Sequence, residues 1–191
     1  NAMAARASLK AKNIKVSFND MVIKATAVSL KKHPKINSSW LEDKIRYNEH
    51  VNIGVAVAVE DGLLVPVVRF ADSKSFATIG EEVREFAGRA KDKTLQPSDW
   101  EGSTFTISNV GTFGSVMGTP IINQPEVAIL ALGIIKKRPE VIETENGDEI
   151  AIRSMMYLSL SFDHRVVDGA TGAQFLNTFK DILEDPIRLM V

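Results

Sequence analysis

Apolar residues recur every three or four positions along three stretches of the chain, which is the spacing of an amphipathic α-helix. Ser17 and Asp20 form a capping box before the first stretch, and Pro34 ends it. The apolar stripes predict that each helix packs against a core. The three predicted helices cover residues 18–32, 75–91 and 169–184.

Between these helices, apolar and β-branched residues alternate or run together in short segments, which predicts β-strands. The predicted strands cover residues 38–40, 44–47, 51–59, 63–68, 103–108, 128–135 and 155–163. A turn at 145–148 is expected to join two further strands, the second being the long 155–163 segment. Pro66 suggests a sheet edge or a bulge, and Pro97 with Trp100 marks a loop. This α/β mixture lacks the regular strand–helix alternation of a Rossmann sheet.

Residues 1–16 are small and basic with no sustained apolar period, so a loose N-terminal segment is expected before a single domain at 17–191. Asn1-Ala2-Met3 is interpreted as a tag remnant. No signal peptide opens the chain, and the apolar run at 127–135 is far shorter than a membrane span. A cytosolic protein with no membrane partner is expected.

Composition excludes several functions before any motif is considered. Lys and Arg number 23 against 24 Asp and Glu, a net charge of -1, which leaves no basic excess for binding nucleic acid. With 45% hydrophobic and 25% charged residues, the chain is typical of globular proteins. It contains no Cys, so disulfides, thiolate metal sites and Cys nucleophiles are excluded.

His164 is the candidate catalytic residue among the three histidines. His33, beside Pro34, is expected to cap a helix or lie at the surface, and His50 is expected to be structural. His164 instead follows a long apolar strand, where sheets present functional groups to a cleft. An imidazole there can accept a proton near neutral pH. No two histidines have metal-ligand spacing, so no metal site is expected.

A second candidate segment runs from Thr104 to Gly114, where a predicted strand delivers the Ser108 hydroxyl into a glycine-containing loop. Small residues would let a substrate approach the backbone there, and a plain turn with Ser108 as a local hydrogen-bonding group is the alternative. The chain has no G-x-S-x-G elbow and neither G-x-x-x-x-G-K-[ST] nor G-x-G-x-x-G. A histidine base without an evident protein nucleophile suits direct transfer between two bound substrates.

These motifs resemble those of the dihydrolipoamide acyltransferases, the core components of 2-oxo acid dehydrogenase complexes. The segment from Asp163 to Gly169 resembles the family's D-H-R-x-x-D-G signature. The aspartate before His164 favours this branch over the related chloramphenicol acetyltransferases, which carry H-H-x-x-x-D-G. The resemblance runs from about Ser17 to the C-terminus. Three further segments look like the family in the family's order: residues 95–97, 105–111 and 119–126.

The resemblance implies a mixed β-sheet flanked by helices, chloramphenicol-acetyltransferase-like, in a homotrimer with active sites at subunit interfaces. An acyl group would arrive as a thioester on the dihydrolipoyl arm of a lipoyl domain and leave on coenzyme A. By resemblance, His164 is the general base on the coenzyme A thiol, and Ser108 of the facing subunit hydrogen-bonds the oxyanion. Asp168 supports the loop or caps the next helix, and coenzyme A contacts are expected at Ser108, Asn109 and Gly169.

The family also implies partners and missing parts. The trimers would build a cubic or dodecahedral core, docked through the apolar tail at 185–191, in a bacterial cytoplasm or a mitochondrial matrix. The lipoyl domain, the decarboxylase and the dihydrolipoamide dehydrogenase would be its partners. Lipoyl and peripheral-subunit-binding domains, and a basic segment with an Arg partner for Asp168, have no counterpart here, so the chain is interpreted as N-terminally truncated. Arg165 is expected in a structural ion pair.

The transferred group is expected to be acetyl. Residues 37–40 and 165–174 look most like the acetyltransferases of pyruvate dehydrogenase, whereas residues 155–158 and 184–186 look somewhat like succinyltransferases. Succinyl or branched-chain acyl transfer is therefore an alternative. The sequence also leaves open a non-catalytic core scaffold and a free-standing small-molecule acetyltransferase that stops at a trimer. The retained catalytic candidates argue against the scaffold, and the apolar tail argues against the free-standing enzyme.

Overall fold

The computed structural model describes residues 2–60 and 62–185, which contain five α-helices. They are α1 Ala2–Ala11, α2 Phe18–Lys32, α3 Phe76–Lys91, α4 Pro97–Trp100 and α5 Gly169–Glu184. The three helices predicted from apolar spacing are confirmed as α2, α3 and α5. The capping box is confirmed too, because the Ser17 hydroxyl accepts from the Asp20 N–H at 3.1 Å and the Asp20 carboxylate accepts from the Ser17 N–H at 2.7 Å.

Eleven strands lie in the same residues. They are β1 Ser38–Leu41, β2 Lys44–Tyr47, β3 Ile53–Val55, β4 Val57–Val59, β5 Gly62–Leu64, β6 Val67–Val68, β7 Phe105–Asn109, β8 Ala128–Leu132, β9 Lys136–Thr144, β10 Gly147–Met155 and β11 Leu158–Phe162. The central sheet has the order β11-β8-β7-β3-β6. Strand β7 pairs parallel with β3 and β8, whereas β11 and β6 run antiparallel to their neighbours. The sheet is therefore mixed, as the resemblance implied.

Apolar side chains from the sheet and the helices form the core. Phe175 of α5 lies 5.7 Å, ring to ring, from Phe105 of β7, and both side chains are fully buried. Helix α2 packs against α3 and α5 and buries Met21 and Leu30. Complete burial of one such side chain stabilises the fold by about 1.5–3 kcal/mol. This packing fixes β7 and α5, the elements next to the candidate site residues.

Two helices differ from expectation. The prediction of a loose N-terminal segment is wrong, because residues Ala2–Ala11 form helix α1. Alanine has the highest helix propensity, and Ala2, Ala5 and Leu9 lie at helical spacing and pack against the core. The loop expected at Pro97 and Trp100 is α4, a single helical turn that begins with the proline, where no backbone N–H is needed.

The predicted strand at 51–59 breaks at Ala56 because its two halves pair with different strands. The Ala56 N–H donates to the Ile107 carbonyl at 2.9 Å, and beyond it β4 pairs with β5 outside the central sheet. Pro66 separates β5 from β6, and β6 lies at the sheet edge, as the proline suggested. The strands predicted at 103–108 and 128–135 are confirmed with shifted ends.

The strand predicted at 155–163 is wrong in extent. The turn at 145–148 joins β9 to β10, and β11 is a separate strand that starts at Leu158. Strands β9 and β10 form their own two-stranded sheet, with one apolar face that we call the hairpin face. It comprises Pro139, Val141, Ile150 and Ile152, of which the last three are 65%, 79% and 71% exposed.

Three predictions concern features that the described residues address only in part. The docking tail at 185–191 lies outside the described residues beyond Asp185. Within the described ranges no helix is both long and apolar enough to cross a membrane, and no group of three or more His, Asp or Glu side chains is arranged to hold a metal ion.

Candidate active site

His164 is exposed on a turn that directly follows β11. Asp163 fixes the backbone of this turn: its N–H donates to the Val127 carbonyl at 2.7 Å, and its carbonyl accepts from the N–H groups of residues 166–167 at 3.0 and 2.9 Å. The His164 ring also contacts the Phe162 ring, with centroids 5.6 Å apart. The imidazole is therefore presented from a backbone that is held on both sides.

The ion pair expected for Arg165 is formed with Asp163, on the other side of His164. The Arg165 guanidinium donates from Nε and Nη2 to the two carboxylate oxygens, at 2.9 and 2.6 Å. These hydrogen bonds hold the pKa of the Asp163 carboxyl below its ordinary value. The same guanidinium lies 4.6 Å above the centre of the Trp40 ring.

Asp168 caps α5, as predicted. Its carboxylate accepts from the Thr171 N–H at 2.8 Å and from the Thr171 hydroxyl at 3.0 Å, and Lys35 Nζ lies 3.3 Å away. These hydrogen bonds, with the Lys35 cation, lower the pKa of Asp168 to about 2. Lys35 supplies the positive charge that the resemblance assigned to an Arg. Gly169 opens the helix, and a Cβ at this position would point into open space.

Ser108 and Asn109 end β7, where both side chains are half-buried. The Asn109 amide donates to Asn19 Oδ1 at 2.8 Å, which ties the end of β7 to the first turn of α2. Asn19, Ile107 and Asn109 line a small cavity, and Ser108 is not among its lining residues. The predicted contact residue Asn109 is therefore held in place by the protein itself.

Two glycines set the position of the loop after Ser108. A Cβ on Gly133 would lie 1.9 Å from the Val116 carbonyl oxygen, and a Cβ on Gly111 would lie 2.5 Å from the Gly133 carbonyl. Backbone thus packs on backbone where side chains would overlap. The absence of a Cβ at both positions lets the loop rest on the end of β8.

Ser108 and His164 lie toward opposite ends of the central sheet. Ser108 pairs with Ala131, which pairs with Ser159, so the three residues lie side by side across the sheet. Strand β11 ends at Phe162, three residues or roughly 10 Å beyond Ser159 along the strand direction, and His164 lies on the turn beyond that end. Two strand spacings add about 10 Å across the sheet. The fold therefore does not bring the two predicted catalytic residues together within one subunit.

A buried carboxyl lies next to the His164 turn, on Glu126. It accepts hydrogen bonds from the Thr106 hydroxyl at 2.8 Å, the Asn123 amide at 3.3 Å and the Ser103 hydroxyl. Burial disfavours the ionised form and raises the pKa of Glu126 to about 7, although the three hydrogen bonds oppose this. The next residue, Val127, has the carbonyl that accepts a hydrogen bond from the Asp163 N–H.

Sequence reasoning missed three residues around this turn: Lys35, Trp40 and Glu126. Lys35 and Trp40 are distant in sequence from the turn, and no spacing rule links them to it. A single acidic residue before an apolar strand is usual at a surface, so Glu126 carried no signal of burial. The nearby hydroxyl residues Ser103 and Thr106 were the available hint of a buried polar partner.

Comparison with known proteins places this arrangement in context. The chain matches the family model described as 2-oxoacid dehydrogenases acyltransferase (catalytic domain) over residues 1–191. Component 3 of the Arabidopsis thaliana mitochondrial pyruvate dehydrogenase complex, a dihydrolipoyllysine-residue acetyltransferase, is 48% identical over 93% of this chain and 33% of the relative. The Bacillus subtilis dihydrolipoyllysine-residue succinyltransferase component of the 2-oxoglutarate dehydrogenase complex is 44% identical over 93% of this chain and 42% of the relative. The chain thus spans less than half the length of these relatives.

Solved structures agree with the predicted fold. The cubic core of the pyruvate dehydrogenase multienzyme complex has a TM-score of 0.89 and 36% identity, covering 100% of this chain and 77% of that chain. The Azotobacter vinelandii dihydrolipoamide acetyltransferase has the same TM-score, 35% identity and the same coverage. That structure was used to study the catalytic role of a serine, a histidine and an asparagine four residues after the histidine. A chloramphenicol acetyltransferase, 17% identical with a TM-score of 0.57, shares the fold. These comparisons confirm the predicted resemblance and the mixed α/β fold.

Proposed function

This chain belongs to the 2-oxoacid dehydrogenase acyltransferase family, and on that premise we propose that it moves an acetyl group from S-acetyl-dihydrolipoyl to coenzyme A. The observation that carries the proposal is the exposed His164 on its fixed turn, four residues before the capping Asp168. The Azotobacter vinelandii relative has its histidine and asparagine at the same interval. We propose His164 as the catalytic base and Asp168 as its supporting residue.

The chemistry follows from the groups that must react. A free thiol has a pKa of about 8.5, so a base is needed to supply thiolate near neutral pH. A neutral imidazole can take this thiol proton as a general base. The coenzyme A thiolate then adds to the thioester carbonyl, and the Ser108 hydroxyl donates a hydrogen bond to the oxyanion. Collapse of this intermediate breaks the bond to the dihydrolipoyl sulfur, which leaves with the proton held by the imidazolium.

The separation of Ser108 from His164 supports an active site shared by two subunits. Because the two residues lie toward opposite ends of one sheet, Ser108 of one subunit must meet His164 of another for both to contact one thioester. A ring of three subunits satisfies this at every interface. We propose this homotrimer as the catalytic unit, with coenzyme A contacts at Ser108, Asn109 and Gly169.

The hairpin face offers a surface for that association. An isolated two-stranded sheet is marginally stable in water, and this one exposes four apolar residues on a single side. Covering that side with another subunit would remove the apolar area from water. We propose that the hairpin face is buried between subunits of the trimer.

Higher assembly and partners are proposed from the relatives. One similar structure is the cubic core of the pyruvate dehydrogenase multienzyme complex. We propose that the trimers of this chain build such a core, which receives acetyl groups from a lipoyl domain. The decarboxylase and dihydrolipoamide dehydrogenase components would complete the complex, in a bacterial cytoplasm or a mitochondrial matrix. A native mass far above a trimer would support this assembly, whereas a closed trimer would favour a free-standing acetyltransferase.

Acyl preference is tested by offering several donors. The succinyltransferase relative from Bacillus subtilis is nearly as similar as the acetyltransferase, so succinyl transfer is the second candidate. The assay measures transfer to coenzyme A from the acetyl, succinyl and isobutyryl thioesters of dihydrolipoamide. Acetyl transfer is expected to be fastest, and a faster succinyl reaction would overturn the acetyl assignment.

The catalytic roles are tested by mixing two inactive variants. His164→Ala should lower kcat by about 10²- to 10⁴-fold, and Ser108→Ala by about 10²- to 10³-fold. Mixed subunits of these two variants, refolded together, would rebuild about a quarter of the interfaces with both groups intact. Recovery of about a quarter of the wild-type activity is therefore expected. The control mixes His164→Ala with the double variant, which restores no interface, and activity equal to that control would refute the shared site.

A further inference from the structure

The backbone around His164 depends on the side chain of Asp163. Besides its main-chain bonds, the Asp163 carboxylate accepts from the Arg165 N–H at 3.0 Å, which closes a turn around His164. Asp163, directly before the proposed base, therefore binds Val127 through its N–H and residues 165–167, after the base, through its side chain and its carbonyl. Whatever fixes the Asp163 carboxylate also fixes the direction from which the imidazole leaves the backbone.

Arg165 is the group that fixes this carboxylate. Its guanidinium makes a two-pronged contact with Asp163, and the Asp163 side chain is only 13% exposed. A paired guanidinium of this kind is geometrically specific, because two parallel N–H groups meet two oxygens. One face of the guanidinium rests on the Trp40 ring, at 4.6 Å from the ring centre. The cation is thus held by a carboxylate at one edge and an aromatic ring on one face.

Trp40 is itself anchored to the segment that holds Asp163. The Trp40 N–H donates to the Pro125 carbonyl at 2.9 Å, and two residues later the Val127 carbonyl accepts from Asp163 at 2.7 Å. Strand β1, which carries Trp40, is further held by its pairing with β2. The ring and the carboxylate on which Arg165 rests are therefore both tied to residues 125–127.

We propose that Trp40, Arg165 and Asp163 form a clamp that positions the His164 imidazole for proton transfer. Trp40 and Arg165 are positioning residues here, since they act on His164 through the turn. This inference rests on the proposed role of His164 as the base. Asp163 engages the Nε and Nη2 groups of Arg165 and Trp40 covers one face of its guanidinium, and these contacts tie the cation to the His164 turn rather than to a phosphate of coenzyme A.

The two roles for Arg165 predict different kinetics. If the clamp positions His164, Trp40→Leu and Arg165→Gln each lower kcat by about tenfold, because misplacement of a catalytic group slows the chemical step. The KM for coenzyme A stays within about twofold of the wild-type value. Trp40→Phe, which keeps an aromatic face under the cation, retains most of kcat. An unchanged kcat with a raised KM for coenzyme A would overturn the clamp.

The double variant tests whether Trp40 and Arg165 act as one unit. Trp40→Leu combined with Arg165→Gln should lose no more activity than either single change, since each already breaks the clamp. Multiplied losses would show independent effects and would overturn the proposal. Trp100→Leu is the matched control, because Trp100 lies beside a separate cavity with Leu64 and Leu95 and should leave kcat unchanged.

Amide hydrogen exchange gives a readout that does not depend on catalysis. The N–H groups of residues 165–167 all bond to Asp163, so they should exchange about tenfold faster in Trp40→Leu and Arg165→Gln. Trp40→Phe and Trp100→Leu should match the wild type in this peptide. Unchanged exchange in the first two variants would overturn the clamp even in an active enzyme. Faster exchange in a chain that transfers no acyl group would uphold the clamp as a structural contact and refute the proposed function instead.

Discussion

Replacing the buried carboxyl of Glu126 by an amide should change how stability depends on pH. Burial raises the pKa of this group from 4.5 to about 7, so the folded state holds the proton more tightly than the unfolded state. At about 1.4 kcal/mol for each tenfold change in proton affinity, ionisation costs the folded state about 3 kcal/mol. The wild type therefore loses stability as the pH rises from about 4.5 to 7, and the loss is complete above that range.

Glu126→Gln mimics the protonated carboxyl and keeps an oxygen that accepts from Ser103. The free energy of unfolding of both proteins is measured in urea at about pH 5 and about pH 8. The difference between the variant and the wild type should be about 2.5 kcal/mol more favourable to the variant at pH 8 than at pH 5. Glu145→Gln, in the exposed hairpin turn, controls for the loss of a charge. Its free energy of unfolding should depend on pH in the same way as that of the wild type. A buried, proton-binding Glu126 is refuted if the difference in unfolding free energy between Glu126→Gln and the wild type is the same at both pH values. A Glu126→Gln variant less stable than the wild type at pH 8 would also refute it, because the site would then favour the ionised group.

Three other substitutions have effects that follow from the contacts in the structure. Gly133→Ala would place a Cβ 1.9 Å from a backbone carbonyl oxygen, so the rate of acyl transfer and the Tm should both fall. Gly88→Ala, in an open helical position, is the control and should raise the Tm slightly. Ser17→Ala removes a helix cap and should cost about 1 kcal/mol in urea unfolding, and an unchanged midpoint would show that the cap contributes nothing. Ile150→Lys on the hairpin face should shift the native mass toward smaller species, and Glu149→Lys on the other face should not; equal masses would place that face outside the interface.

The parts of the fold that could be predicted are those that local chemistry determines. Helix α2 was predicted to its ends because Ser17 and Asp20 cap it reciprocally and Pro34 prevents its continuation. Asp168 was likewise predicted as a cap from local sequence, because aspartate directly before a helix is a preferred N-cap residue. Strand ends were less accurate because pairing partners decide them: Ala56 leaves the strand where it bonds to Ile107, and no nearby residue marks that point.

The candidate site divides in the same way. The signature around His164 was visible because its residues are consecutive in sequence. Trp40, Lys35 and Glu126 reach the same region from other elements, so their proximity depends on how β1 and β8 pack rather than on any local spacing. The helix at residues 2–11 shows a related limit, since its alanines indicate helix by propensity while contributing little to an apolar pattern.

The placement of Ser108 and His164 toward opposite ends of the sheet has a consequence for biosynthesis. If Ser108 and His164 act on one thioester as proposed, a newly made subunit is inert, and acyl transfer begins only when another subunit docks against it. Activity is then acquired at assembly, so below the association threshold it should rise more steeply than in proportion to subunit concentration. Free monomers would not consume acyl thioesters before they reach the complex. With the proposed shared site, the distribution of two side chains across one sheet would confine the reaction to the assembled trimer.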